Sequence, residues 1–170
     1  MGRGEGAGRR GPQGDILYGA MPRFDRVLVP VDFSELTDTV LRYGVELTKE
    51  DGITVVLHVL EPLPLHFETA FGAFVNTEGL MRIRENALRL LEETKQRHPG
   101  RTFVTELKEG KPAPIIIDAA HRHGAELIVM GTHGRGGLEH LFLGSVAARV
   151  VRNAGCPVLT VRRPDPKSAA

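Results

Sequence analysis

The stretch AELIVMGTHGRGGLEHLFLGS, residues 125–145, starts with a short apolar run and continues into a glycine-rich loop. The apolar run at 125–131 has the length and composition of a strand that is buried on both faces. Beyond the loop, residues 145–154 have the pattern of a short helix, and Gly155 is a typical stop signal. A strand, a loop and a helix in this order are typical of a parallel sheet with covering helices.

The same alternation of short apolar runs and longer helical segments recurs on both sides of this stretch. Further apolar runs predict strands at 26–32, 53–60, 102–107 and 157–162. Apolar residues spaced three to four apart predict helices at 34–49, 77–98 and 112–123. The second helix carries one face made of Leu80, Ile83, Ala87, Leu90, Leu91 and Thr94. This order predicts an α/β fold: an open, five-stranded parallel sheet with helices on both faces.

The composition is that of an ordinary globular chain and argues against two classes of partner. Of the 170 residues, 22 are basic and 21 are acidic, and the net charge of +1 predicts no binding to nucleic acid. No apolar stretch approaches the roughly 20 residues that cross a membrane, so no membrane partner is expected. The single cysteine, Cys156, excludes an internal disulfide bond and suits a reducing compartment, which predicts a cytoplasmic location.

The two ends of the chain differ in composition from the rest. Residues 1–22 are rich in glycine and arginine and contain no apolar core segment, so they do not resemble a secretory signal peptide. We expect a disordered tail there, because too little apolar surface is available to offset the entropy of ordering. Residues 164–170 are expected to form a C-terminal tail, which leaves a single domain at 23–163.

The glycine-rich loop lies where a sheet of this kind binds ligands. These ligands lie outside the carboxyl ends of the strands, at the point where the strand order reverses. Ser145 starts the helix after the loop, and a helix start offers unpaired backbone N–H groups to an anion. Gly131 and Gly134 let the backbone approach the same ligand. The residues therefore predict a phosphate-binding loop; the alternative is that the glycines only permit a long surface loop.

Neither of the two best-known phosphate-binding sequences is present. A Walker A loop requires a lysine before the serine, and Ser145 follows a glycine. The dinucleotide fingerprint G-x-G-x-x-G is absent from this loop and from the first strand, where VPVDFSE (29–35) contains no glycine.

The spacing of the glycines matches that of a known family. Gly131, Gly134 and the pair Gly144-Ser145 fit the motif G-x2-G-x9-G-[S/T] of nucleotide-binding universal stress proteins. The stretches RVLVPVDFSE, LHVL, LIVMGTHGRGG and GSVAARVVRNAGCPVLTVR also match, in the same order, over residues 24–163. The chain resembles a single-domain universal stress protein. The resemblance implies a Rossmann-like sheet of order 3-2-1-4-5, with ATP at the junction of strands 1 and 4.

The resemblance also implies which residues of the first two strands contact the nucleotide. Pro30, Val31 and Asp32 would end the first strand beside it, with Asp32 at the ribose or at a metal near the phosphates. Val59 would meet the adenine edge through its backbone. For Asp32 the alternative is a carboxylate that caps the first helix, a role that Ser34 also fits.

The remaining residues implied by the resemblance surround the glycine-rich loop. They are Met130 and Gly131 on the ribose side and, at the phosphates, Gly134, Gly144, Ser145 and the N–H of Val146. His133 and Arg135 would add positive charge near the phosphates, unless they lie on a solvated face of the loop. Mg²⁺ or Mn²⁺ would be held mainly by the phosphates. No metal site of protein side chains is predicted, since His121 and His123 point in different directions on a helix.

By resemblance, the function is that of an ATP-binding module in stress response or signalling, with at most slow ATP hydrolysis. The residues offer one plausible carboxylate, Asp32, and no identifiable arginine finger; the alternatives are a true ATPase or nucleotidyl-transfer enzyme and a nucleotide-free dimeric scaffold. AMP or a cyclic nucleotide is an alternative ligand.

The family often dimerises through its last strand, which predicts a homodimer through 157–162 unless a tail protects that edge. The apolar loop 61–76 is expected to cover the sheet end or a dimer partner, or to act as a lid.

Overall fold

A computed structural model describes residues 23–62, 77–132 and 143–162. Strands and helices alternate along these residues: β1 (Phe24–Val31), α1 (Thr37–Leu47), β2 (Thr48–Leu60), α2 (Thr77–Gln96), β3 (Thr102–Glu109), α3 (Pro112–Arg122), β4 (Leu127–Gly131), α4 (Ser145–Asn153) and β5 (Val158–Val161). The five strands form one parallel sheet of order β3-β2-β1-β4-β5. The predicted fold class and strand order are therefore confirmed.

Helices cover both faces of the sheet, and the side chains between them form two apolar layers. Val29 of β1 points into the layer below α1 and α2, whereas Leu28 points into the layer below α3 and α4. Both side chains are fully buried. Successive side chains of a strand point to opposite faces, so a strand covered on both sides is apolar at nearly every position. This explains the continuous apolar runs of β1, β2 and β4.

The junction of α1 and β2 lies earlier in the chain than the sequence predicts. β2 begins directly after α1, at Thr48 rather than at residue 53. The buried hydroxyl of Thr48 lies 2.7 Å from Gly44 O and 2.9 Å from the hydroxyl of Thr54, so polar groups inside the sheet are paired. At Gly44 a Cβ atom would lie 2.4 Å from Cγ2 of Val29, so α1 can approach β1 this closely only with glycine there.

α2 buries only part of its predicted apolar face. Ala87, Leu91 and Thr94 are buried, but Leu80 and Ile83 are 52% and 51% exposed. The 3.6-residue period identifies the apolar face of a helix, but it does not tell whether another element lies beneath each turn. None of the helices in the described ranges is long and apolar enough to cross a membrane.

The sheet opens between β1 and β4 at its carboxyl edge. The β1–β4 ladder contains the pairs Val27–Leu127 and Leu28–Ile128, and each strand then continues for three residues. On its other side, β1 stays paired with β2 up to Val31. The crevice therefore lies where the strand order reverses, which is the position at which open parallel sheets bind ligands.

Candidate functional site

Two backbone hydrogen bonds fix the carboxyl end of β4: one joins it to β5, and the other joins it to the start of α4. The N–H of Thr132 donates to Val161 O at 2.9 Å, and the N–H of Gly144 donates to Thr132 O at 2.7 Å. The chain segments that lead into and out of the glycine-rich loop are thereby joined. Gly131 and Ser145 are each one residue from this junction, so they lie at the same edge of the sheet.

α4 begins without a side-chain cap. Its N-cap residue, Gly144, has an extended backbone (φ −65°, ψ 159°) and makes no side-chain hydrogen bond to the helix. The N–H of Ala148 makes the first helical bond, to Gly144 O at 2.9 Å. The N–H groups of Ser145, Val146 and Ala147 come before it and have no acceptor inside the helix. Together with the helix dipole, they favour an anion at this end of α4.

Asp32, directly after β1, does not cap α1. The helix begins at Thr37, and its N-cap residue, Leu36, makes no side-chain cap. Asp32 Oδ1 instead accepts a hydrogen bond from the N–H of Ser34 at 3.0 Å, which closes a tight turn. Asp32 Oδ2 is buried and has no partner among the described residues. A buried acceptor without a partner costs about 1–3 kcal/mol, so this oxygen is suited to accept from a ligand or to bind a cation.

Two buried hydroxyl groups near Asp32 are also unpaired. Ser34 Oγ and Thr37 Oγ1 have no hydrogen-bond partner in the described part of the chain. Sequence reasoning proposed Ser34 only as a helix cap and missed Thr37. The only sequence signal was two hydroxyl residues within five positions of a polar strand end. Unpaired buried oxygens are rare in folded proteins, so their concentration between the end of β1 and the start of α1 makes this region a candidate site.

Sequence reasoning also missed a strained residue beside Asp32. Phe33 has φ +57° and is the one non-glycine residue with a positive φ in the described ranges. This left-handed backbone costs about 1–2 kcal/mol for a residue with a side chain. The Phe33 ring contacts the ring of His58, with centroids 4.4 Å apart. His58 is buried, and its Nδ1 lies 2.7 Å from Val31 O. A carbonyl only accepts, so Nδ1 carries the proton in this contact.

All the predicted site residues that the structure describes lie at the carboxyl edge of the sheet. This set consists of Pro30, Val31, Asp32, Val59, Met130, Gly131, Gly144, Ser145 and Val146. His133, Gly134 and Arg135 lie outside the described residues, as does most of the loop 61–76.

A separate cluster of charges lies between β3 and the end of α3. Glu106 accepts hydrogen bonds from Arg122 at 3.1 Å and from His123 at 3.1 Å, and it forms an ion pair with Lys108. Burial alone would raise the pKa of Glu106, but these three partners lower it to about 2. His123 is therefore held by a hydrogen bond to Glu106. Within the described ranges, no group of three or more His, Cys, Asp or Glu side chains is placed to hold a metal ion.

Comparison with known proteins identifies the family that the chain matches. The family model described as the universal stress protein family matches residues 23–162. Universal stress protein MJ0531 of Methanocaldococcus jannaschii is 34% identical over 143 residues, which cover 83% of this chain and 84% of that protein.

Solved structures share the fold. The protein MJ0577 of M. jannaschii matches with a TM-score of 0.72 and 28% identity, over 83% of this chain and 97% of its own. Two matches are nucleotide complexes: an Archaeoglobus fulgidus universal stress protein with dAMP (TM-score 0.55, 23% identity, 81% and 97% coverage) and a universal stress protein with cAMP (TM-score 0.56, 20% identity, 82% and 98% coverage). The chain belongs to the universal stress protein family, because the family model matches residues 23–162 and the sheet has the order 3-2-1-4-5.

Proposed function

We propose that this chain binds ATP in the crevice between β1 and β4 and acts as a nucleotide-dependent stress-response or signalling module in the cytoplasm. The observation that carries the proposal is the uncapped start of α4, which the Gly144–Thr132 hydrogen bond holds at the carboxyl end of β4. That start offers unpaired N–H groups to a phosphate. The dAMP and cAMP complexes support the proposal, because they are adenine nucleotide complexes of proteins with the same fold.

In the proposed complex, the phosphates contact the start of α4. The N–H groups of Ser145 and Val146 and the hydroxyl of Ser145 donate to phosphate oxygens. Gly134, His133 and Arg135 complete the phosphate contacts. A neutral hydroxyl donor is worth about 1 kcal/mol, whereas the backbone N–H groups act together with the helix dipole. The backbone therefore supplies most of the phosphate affinity.

The nucleoside lies across the ends of β1, β2 and β4. Asp32 Oδ2, which has no partner among the described residues, accepts from a ribose hydroxyl or binds the metal ion. Val59 at the end of β2 contacts the adenine edge through its backbone. Met130 and Gly131 form the ribose side, with Pro30 and Val31 beneath the nucleotide. Asp32 is the single carboxylate in this set, so Mg²⁺ or Mn²⁺ takes most of its oxygen ligands from the phosphates and water.

We expect ATP hydrolysis to be slow at most. Phosphoryl transfer requires a positioned water, a group that orients it, and positive charge on the transferring group. The proposed site contains one carboxylate and no assigned water-orienting residue, so nucleotide retention is favoured over turnover. A true ATPase or a nucleotidyl-transfer enzyme would instead release product rapidly in the presence of Mg²⁺.

Binding is tested with the full chain, by analysing what it releases on denaturation and by titration with ATP and Mg²⁺. We expect ATP to be released or to bind on titration. Ser145→Ala should weaken affinity about fivefold, because one phosphate donor is lost. Ser145→Thr keeps the hydroxyl and should retain the affinity of the wild type. A chain that neither releases nor binds nucleotide would contradict the proposal and favour the dimeric scaffold.

We also propose that the chain forms a homodimer through β5, which is an edge strand. The N–H of Ile128 donates to Pro157 O, and that of Thr132 to Val161 O. Since backbone groups alternate in direction along a strand, those of Val158 and Thr160 point away from β4. An unpaired strand edge is a surface for pairing with a second chain.

The dimer is tested by sedimentation velocity of two variants at the same position. Thr160→Pro removes an outward N–H without affecting the bonds to β4, so it should convert the dimer to a monomer. Thr160→Val keeps the N–H and should remain dimeric. A monomeric wild type would contradict the proposed dimer and leave the protected edge as the explanation.

A further inference from the structure

We propose that His58 and Phe33 are a positioning pair, which fixes the turn that carries Asp32 and thereby sets nucleotide affinity. Neither side chain is assigned a contact with the nucleotide. The inference rests on the proposed nucleotide site and adds to it two residues that act through Asp32. It follows from three observations: a buried side-chain hydrogen bond, a ring contact and a left-handed backbone, all adjacent to Asp32.

His58 connects the ends of β1 and β2. In the ladder between these strands, Val31 is paired with His58, and the imidazole Nδ1 also donates to Val31 O at 2.7 Å. Val31 immediately precedes Asp32, and His58 immediately precedes Val59. One buried side chain therefore ties the residue before the proposed ribose contact to the residue before the proposed adenine contact. A shift of the His58 side chain would move Val31 and, with it, Asp32.

Phe33 determines the direction in which the chain leaves β1. Its left-handed φ of +57° turns the backbone sharply, and Asp32 Oδ1 accepts from the N–H of Ser34 across this turn. A bulky residue keeps such a backbone only when its surroundings hold it. The His58 ring, 4.4 Å from the Phe33 ring, provides that support. With Oδ1 held by the turn, Oδ2, which has no partner among the described residues, is the oxygen left to face a ligand.

Loss of either ring should allow the turn to relax toward ordinary φ values and should change the direction of the Asp32 carboxylate. Nucleotide affinity should then fall, although the fold and the start of α4 are unchanged. A purely structural role predicts a different result: stability would fall and affinity would not. The two roles are separated by measuring affinity and stability on the same variants.

The test measures the Kd for ATP with Mg²⁺ and the urea unfolding of the full-length chain, under conditions in which each variant is folded. His58→Leu and Phe33→Leu should each weaken ATP binding about tenfold. His58→Asn should recover only part of the affinity, because its amide donor lies near the position of Nδ1 but the ring that contacts Phe33 is lost. Phe33→Tyr keeps its ring and should recover most of the affinity. Thr48→Val, at the opposite end of the sheet, should lower stability with no change in Kd.

A double-mutant cycle then tests whether the pair acts through Asp32. In an Asp32→Asn background, His58→Leu should weaken binding by no more than about twofold, since the contact that it positions is already lost. Full additivity would overturn the proposal. An unchanged Kd in folded His58→Leu and Phe33→Leu would also overturn it, while leaving nucleotide binding intact. If His58→Leu does not fold, the Kd of Phe33→Leu alone tests the proposal. A wild-type chain that binds no ATP would overturn the proposed function itself and this inference with it.

Discussion

The two ends of the sheet differ in whether their buried polar groups have hydrogen-bond partners among the described residues. At the amino end, the Arg101 guanidinium donates to three carbonyl oxygens where α1 meets β2, those of Val45, Thr48 and Lys49. The Thr48 and Thr54 hydroxyl groups are paired with each other. At the carboxyl end, by contrast, three buried oxygens have no partner in the described residues: Asp32 Oδ2, Ser34 Oγ and Thr37 Oγ1.

This contrast suggests that the amino end of the sheet contributes mainly to stability and the carboxyl end mainly to the proposed binding. Paired polar groups hold the elements of the amino end together. Three features of the carboxyl end cost free energy in the free protein: the oxygens that lack a partner in the described part of the chain, the left-handed Phe33 and the uncapped α4. A ligand that supplies the missing partners recovers part of that cost on binding. Substitutions at the two ends should therefore change different quantities.

The largest expected effect is on stability, at the amino end. Arg101→Ala removes a charged donor from three carbonyl oxygens and should lower the free energy of unfolding by about 2–3 kcal/mol, with no change in ATP affinity. Urea unfolding and ATP titration measure the two quantities. Arg97→Ala is the control: it removes an exposed ion pair with Asp38 and should cost less than about 1 kcal/mol. A weaker ATP affinity in folded Arg101→Ala would mean that the two ends are coupled.

The second effect is on affinity, at the carboxyl end. Asp32→Asn keeps an oxygen that can accept from the Ser34 N–H, but it removes the unpaired charged oxygen. ATP binding should weaken by about tenfold or more, because a charged acceptor contributes more than a neutral one. The unfolding free energy without nucleotide should stay the same or rise, since a buried unpaired charge is lost. Calorimetric titration and urea unfolding test this; a strongly destabilised Asp32→Asn would show that the carboxylate is structural.

The smallest effect depends on pH and concerns Glu106. Its pKa is lowered from 4.5 to about 2, so its contribution to stability is complete above pH 5 and is lost as the pH falls toward 2. Because its partners Lys108 and Arg122 are more than a third exposed, solvent screens them, and Glu106→Gln should reduce stability at pH 6 by only about 1 kcal/mol. The difference from the wild type should largely disappear near pH 2. Unfolding measured across this range provides the test. Glu50→Gln, at a 4.0 Å exposed pair, is the control and should match the wild type throughout. If Glu106→Gln lowers the unfolding free energy by the same amount at pH 6 and at pH 2, the charge of Glu106 is not what stabilises the protein.

Much of the fold could be predicted because its signals are local. Each apolar run and each helical period depends on neighbours a few residues away, and the order of elements then restricts the sheet to one class. The boundaries were less predictable. α1 starts at Thr37 rather than at Ser34, because the strained Phe33 and the Asp32–Ser34 turn come first. Likewise, Leu80 and Ile83 have the correct period for burial but are half exposed.

The sequence by itself determined the α/β order, the family and the positions of the glycines around the loop, since these depend on composition and spacing along the chain. The roles proposed for His133, Gly134 and Arg135 stay predictions. Only the tertiary structure joined Gly144 to Thr132, placed His58 against Phe33 and left Asp32 Oδ2 buried without a described partner. These contacts link residues on different elements, and whether a buried polar atom is paired depends on which groups surround it in space.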